Sequence, residues 1–398
     1  MTESKTVAVL EWGTSKIKVL LAELVDSKKL NIISKSDIDT LLAIKKGDII
    51  DVAKTYNKTH DAISNAENRS SVKFNKVSLA ISGTHIKVFK NLGSANVSSP
   101  DGIVKKDDVE SAKKAAKRKE LENDRCYIQQ ICCGYYLDGK YCTDPINKVG
   151  KKIDAEYLMI HGDSDRIMEM ANVIRSVGLE FDDIILSGIA SAIAVTSLQQ
   201  KMNGVLVADI GAGTTDYALI KNNKVFLAGV IPVGGNHVTN DLALGLRLTP
   251  KIAENVKISS GKLNLQEDDK SKICWAIGDK QIGDKKILGD SVNKIVRARI
   301  IELLEFLREE VNEYMLDDTI SEIVLTGGVS NTQDICNLAS EIFSRPCSKG
   351  RFAEDLPKHL HMQGWSTLIG LLEHVRVREQ KKSSKRGGLL ATIKDMLF

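Results

Sequence analysis

The sequence predicts an α/β protein of two similar lobes, each a sheet flanked by helices, facing each other across a cleft. Three observations carry this expectation. Segment 7–24, VAVLEWGTSKIKVLLAEL, and segment 204–220, GVLVADIGAGTTDYALI, share one grammar: an apolar strand, an acid, a glycine turn with hydroxyls, and a second strand. Half a chain separates them, so the pattern reads as an internal duplication. A third glycine turn, Gly327-Gly328 in SEIVLTGGVSN, again closes a short apolar strand.

The first and second turns each open a hairpin. Ile17, Val19 and Leu21 alternate after one turn, and Tyr217, Leu219, Val225 and Leu227 after the other, which is the period of a strand. Neither turn is a P-loop, which needs Gly-Lys-Ser/Thr after its last glycine, and neither has the three spaced glycines of a dinucleotide fingerprint. Glycine lets backbone amides approach a phosphate, and neighbouring hydroxyls add donors. That describes Gly13, Thr14, Ser15 and Lys16 on one side, and Gly211, Ala212, Gly213, Thr214 and Thr215 on the other. Glu11 and Asp209, one at each strand end, would repel phosphate unless a divalent cation lay between them, and Mg²⁺ suits one or two carboxylates that orient its waters. A single such turn reads equally well as a tight hairpin with a capping acid; the matched pair favours a ligand.

Residues 84–162 interrupt the first lobe and read as an inserted small domain. A helix beginning after Lys105, with Asp107, Asp108 and Glu110 in its first turn and a basic body, suits the helix dipole. The run Lys113, Lys114, Lys117, Arg118 and Lys119 reads as a solvated face and not a nucleic-acid site, because Glu and Ala are interspersed and stacking aromatics are missing. Near the end, 377–388 is charged and Gly-terminated and reads as a flexible linker. On a helix, Leu389, Leu390, Ile393, Met396 and Leu397 fall on one arc. So short a helix needs a surface. Docking on the protein's own body is one option; an anionic membrane is favoured, since Lys381, Lys382, Lys385 and Arg386 would each gain about 1 kcal/mol there.

Composition bounds the rest. The chain has 398 residues, 42% hydrophobic, enough for a large core in two or more domains. Lys and Arg number 56 against 52 acids, and a net charge of +4 is too small to argue for nucleic acid. Seven cysteines without a C-x-x-C pair disfavour zinc and redox sites and suggest reduced thiols in a cytosolic protein. No signal peptide is legible, and no apolar run approaches the roughly 18 residues of a membrane span.

In this order the three glycine turns look like the phosphate 1, phosphate 2 and adenosine motifs of the actin, Hsp70 and sugar-kinase superfamily. The whole chain resembles the FtsA family of bacterial cell-division proteins, through LSGIASAIAVTSL (186–198), VIPVGGNHVTNDLALGL (230–246), GWSTLIGLL (364–372) and LLATIKDMLF (389–398). The resemblance implies an actin-like two-lobed ATPase fold of duplicated ribonuclease H-like domains. Subdomain 1A would comprise 1–83 and 163–198, an FtsA-type 1C insert 84–162, and the second lobe, with subdomains 2A and 2B, 199–376. A linker would follow at 377–388 and an amphipathic membrane-targeting helix at 389–398, ending in Phe398.

It also implies ATP and Mg²⁺ as ligands. Gly13, Thr14, Ser15 and Lys16 would touch the phosphates from the first lobe, and Asp209, Gly211, Gly213, Thr214 and Thr215 from the second, with Glu11 and Asp209 near the metal. Gly234, Gly235 and Asn236 form a further turn facing the nucleotide, and Gly327, Gly328 and Val329 would back the adenine. Glu254 and Lys257, at helical spacing, would flank ribose and adenine, or else form an ordinary i,i+3 ion pair. Active relatives present a Gln, Glu or Asp to the attacking water, whereas the matching Ser187, Gly188, Ile189 and Ala190 offer none, so hydrolysis is expected to be slow or absent. Glu11 replaces the more usual Asp, and Trp12 beside it has no evident role.

The partners implied are further copies of the chain in a filament, anionic lipid, later division proteins and the acidic, apolar tail of FtsZ. That tail would meet helix 290–314 at Lys294 and Arg299. The implied place is the cytoplasmic face of the membrane, peripherally, at the division septum. Two alternatives share the superfamily: the FtsA-like pilus protein PilM, expected to lack the linker and terminal helix, and a small-molecule kinase, which would need a catalytic base. An Hsp70-type chaperone would require a substrate domain that the sequence does not offer.

Overall fold

The computed structural model describes residues 4–264, 271–278, 283–316 and 319–386. The expected membrane-facing residues Leu389, Leu390, Ile393, Met396, Leu397 and Phe398 lie outside them.

Two five-stranded sheets repeat one path. The first runs, edge to edge, Glu180–Leu186, Lys76–Ile81, Ser4–Trp12, Lys16–Val25, Lys29–Asp39. The second runs Cys347–Lys349, Glu322–Thr326, Val205–Ile210, Thr215–Lys221, Lys224–Ile231. In each, three consecutive strands form an antiparallel meander, and two later strands add in parallel on the far side of the first. The duplication read from the glycine turns therefore extends to whole sheets. Val205–Ile210 is buried at every position, as expected of a strand covered on both faces.

Between the sheets the helix Ser187–Val195 packs against the closing helix Ser366–Arg386. Their backbones come so close at Gly370 that a β-carbon there would lie 1.7 Å from the Ala190 carbonyl oxygen, so only glycine is accommodated. Trp12, unexplained by sequence, is a core residue: it is buried, and its indole nitrogen donates to Thr59 Oγ1 at 2.9 Å.

The insert has a sheet of its own, ordered Lys87–Asn96, Lys152–Asp163, Arg125–Leu137, Lys140–Cys142, with the helix Lys106–Lys117 laid across it. Asp108 caps that helix, accepting from the Lys105 and Ser98 amides at 2.8 and 3.0 Å. Lys113 and Lys117 of the basic run lie over the rings of Tyr135 and Tyr157.

One expectation needs correcting. The segment expected to form a flexible linker from residue 377 continues the closing helix to Arg386. Its long straight side chains lose little freedom in a helix. Arg378 bonds Asp182 and sits 2.9 Å from Asp183, while Glu379 holds Lys5 and Lys382, each at 2.9 Å. Lys5, Asp182 and Asp183 anchor the helix to the first lobe from positions no local reading connects. Among the described residues, no helix is long and apolar enough to cross a membrane.

Candidate functional site

The glycine turns of the two sheets meet. Gly13 closes a tight turn, its amide donating to the Lys16 carbonyl at 3.0 Å, and Thr40 pins the turn through hydrogen bonds to Thr14 and Ser15. Gly211 closes the matching turn on Thr214 at 2.9 Å. The turns face each other so closely that a β-carbon on Gly213 would lie 2.2 Å from Thr14 Oγ1. They form the floor of a cleft of about 860 Å³.

The cleft gathers most of the residues singled out by sequence: Glu11 and the turn Gly13, Thr14, Ser15 and Lys16 from the first sheet, and Asp209, Gly211, Gly213 and Thr214 from the second. Gly235 and Asn236 line it, as do Glu254, Lys257, Gly327, Gly328 and Val329. Lys257 bonds Glu254 at 2.6 Å and also donates to Thr239 Oγ1 and the Gly235 carbonyl, at 2.9 and 3.2 Å. The pair is thus neither free nor merely solvated: it closes one wall of the cleft. Lys16 pairs with Asp37 at the rim.

Two of the expected residues do not line the cleft. Thr215 is buried and gives its hydroxyl to the Val233 carbonyl at 2.8 Å, because successive side chains of a strand point to opposite faces and Thr214 and Asp216 take the cleft side. Gly234 stands behind the floor, where a β-carbon would strike the Gly211 carbonyl oxygen at 2.7 Å. The next two amides, of Gly235 and Asn236, donate to the Gly211 and Ala212 carbonyls at 2.9 and 2.8 Å, so this turn buttresses the Gly211–Thr214 loop.

The acids differ in their surroundings. Asp209 Oδ2 accepts from Ser191 at 2.5 Å, Thr367 at 3.1 Å and Ser366 at 3.3 Å, so both central helices hang on one carboxylate. Burial pushes its pKa up, against those hydrogen bonds. Asp216, which sequence reasoning passed over although it stands two residues from Thr214 on the same strand face, accepts from Thr214 Oγ1 at 3.0 Å. Its other oxygen is buried without a partner, and burial pushes its pKa up to about 8. Glu11 is paired with Lys18 at 3.0 Å, and Lys18 also donates to the Gly364 carbonyl at 2.6 Å. Lys18 was likewise missed. Its signal was its position directly across the hairpin from Glu11.

Lys294 and Arg299 stand on the helix Gly289–Glu310 and do not line the cleft. Lys294 pairs with Asp290 at 2.7 Å; Arg299 grips Asp241 with two nitrogens, at 2.6 and 3.1 Å, and also bonds Glu302. Leu304 and Leu307 face the core, and Ile295 and Ile301 are half-buried against it.

A duplicated sheet pair clasping two facing glycine turns, with an extra domain in the first lobe, is the architecture of the actin-like ATPase fold. Solved structures of that fold match the chain: a PilM-PilN type IV pilus biogenesis complex, with TM-score 0.66 at 14% identity over 92% of this chain and 98% of the other, and MreB5 of Spiroplasma citri bound to ADP, with TM-score 0.55 at 15% identity over 97% and 99%. Family descriptions narrow this: residues 206–370 match the cell division protein FtsA, and 83–161 the SHS2 domain inserted in FtsA. The FtsA of Neisseria meningitidis serogroup B is 29% identical, with 98% of each chain covered, and that of Bacillus subtilis is 28% identical over 86% of this chain and 78% of the relative. The chain belongs to the FtsA family of cell-division proteins.

Proposed function

We propose that this chain is an ATP-binding, filament-forming adaptor that anchors the FtsZ ring to the cytoplasmic face of the membrane at the septum and recruits later division proteins. The observation that carries the reading is the face-to-face approach of the Gly13–Lys16 and Gly211–Thr214 turns, because two amide-rich loops at that separation suit a chain of phosphates.

Mg²⁺ fits the same place. The described residues hold no cluster of three or more metal-ligating side chains, so the protein alone would not cage a cation. Mg²⁺ commonly binds through one or two carboxylates plus substrate phosphates. Asp216, with its unpartnered buried oxygen, and Asp209 are the residues to hold it, and the ion would neutralise phosphate charge beside them. Glu11, already paired with Lys18, is less free to serve than the sequence suggests. Gly235, Val329 and the Glu254–Lys257 pair would take the ribose and base. The helix after Leu186 turns only Ser187 toward the cleft, and its hydroxyl is spent on the Ile81 carbonyl at 2.9 Å, which supports slow or absent hydrolysis.

The PilM reading rests on fold alone, whereas the FtsA relatives match about twice as many residues over most of the chain. Electron microscopy of the full chain on anionic lipid monolayers tests the proposal. Filaments that form on the lipid with Mg-ATP support it, and a protein that never coats the monolayer in any nucleotide state contradicts it.

A further inference from the structure

A cavity of about 1120 Å³ lies at the far end of the same sheets, away from the nucleotide cleft. The helix Ser187–Val195 joins the two: Ser187 lines the cleft and Val195 the cavity. So does the strand Glu322–Thr326, which begins with Glu322 in the cavity and leads to Gly327 in the cleft. Leu30 and Ile32 of the first sheet and Phe352 and Leu356 of the second half give the cavity apolar walls.

Its charges are unbalanced. Two of its three acids are engaged, Glu322 accepting from the Gln200 amide at 2.9 Å and Glu373 pairing with Arg376 at 2.7 Å, and the third, Asp355, is outnumbered by the lysines and arginines of the lining. Lys201, Lys349 and Arg351 also line it, and among the described residues none of them has a carboxylate within ion-pair distance. The Lys201 ammonium finds only the Ile193 carbonyl, at 3.4 Å. Burial pulls its pKa down to about 8, opposed by Glu373 at longer range. A half-buried cation left this poorly satisfied is costly unless something pairs with it, and apolar walls with a few convergent polar groups are the usual form of a small-molecule site.

We infer that this cavity binds a soluble amphipathic anion, an apolar body carrying one carboxylate or phosphate, with the anionic group against Lys201 and the apolar body on Leu30, Ile32, Phe352 and Leu356. Because its walls come from both halves of the chain, an occupant touches both at once.

The test is fluorescence titration of the full chain with 11-(dansylamino)undecanoic acid and, in parallel, its uncharged methyl ester. The acid should bind at one site per chain and at least tenfold more tightly than the ester. Lys201→Met should weaken the acid about tenfold and leave the ester within threefold, while Lys201→Arg should restore the acid. Arg351→Met, on another wall, should weaken the acid several-fold and serves if Lys201→Met is poorly folded. Equal binding of acid and ester, or full affinity in both methionine variants, overturns the inference. Vesicles of phosphatidylglycerol should not displace the bound acid; displacement would overturn it in favour of a membrane lipid.

Discussion

Ser191 donates its hydroxyl hydrogen to Asp209 at 2.5 Å, joining the helix after the first sheet to the central strand of the second. With Thr367 and Ser366 on the same oxygen, Asp209 is a structural pin as well as a cleft acid. Asp209→Ala should therefore cost the empty protein about 1–3 kcal/mol, the range for leaving buried hydroxyls unsatisfied. Asp209→Asn keeps an acceptor and removes a charge that burial disfavours, so it should cost clearly less while losing stabilisation by Mg-ATP. Urea unfolding with and without Mg-ATP separates the two effects; equal destabilisation by both substitutions would show that the pin is unimportant.

Arg378 and His374 each lie 2.9 Å from Asp183, and Asp183 is held below its usual pKa by His374 and then Arg378, despite the opposing effect of burial. A lowered carboxylate pKa adds stability above the unfolded value, and that stability is lost as pH falls through the folded one. Asp183→Asn should thus lower the melting temperature at pH 7, by an amount corresponding to about 1–2 kcal/mol. The difference from wild type should shrink as the pH is taken from 5 toward 3. A difference independent of pH would mean the pair contributes by packing.

This contact also marks where sequence reading stops. The glycine turns, the hairpins and the duplication were legible because they are local: two-residue alternation and a turn within one short segment. The closing helix was misread past residue 376 because its support is remote, with Asp182 lying 196 positions from Arg378. Thr215 falls outside the cleft lining because a motif names a run of residues while a strand turns alternate side chains to one face. Ser191 and Thr367 went unnoticed because only the packing of two helices brings them to Asp209, and Trp12 looked anomalous until Thr59, 47 positions away, supplied its partner.

Arg299 is the proposed contact for an acidic FtsZ tail, yet it is already held by Asp241 and Glu302. A tail carboxylate must compete with them. Asp241→Asn should therefore tighten binding of a labelled tail peptide several-fold, and Arg299→Glu should weaken it more than about tenfold, or roughly 1.4 kcal/mol. Fluorescence anisotropy reads both. Unchanged affinity in both variants would move the partner site elsewhere.

Removing residues 389–398 should release the protein from anionic liposomes without altering its melting temperature or its response to Mg-ATP. One short amphipathic segment binds weakly, so release should be most evident under conditions that favour filaments, where many segments act together. Co-sedimentation of the truncated chain at wild-type levels would refute the anchor.

The central claim is that nucleotide lies between the two facing glycine turns. Isothermal titration calorimetry of the full chain with Mg-ATP, beside Gly213→Val, tests it most directly. The wild type should bind one ATP per chain. In the variant a side chain fills the space where Gly213 approaches Thr14, and affinity should fall at least a hundredfold while the protein remains folded by circular dichroism. Wild-type affinity in a folded Gly213→Val protein would contradict the account.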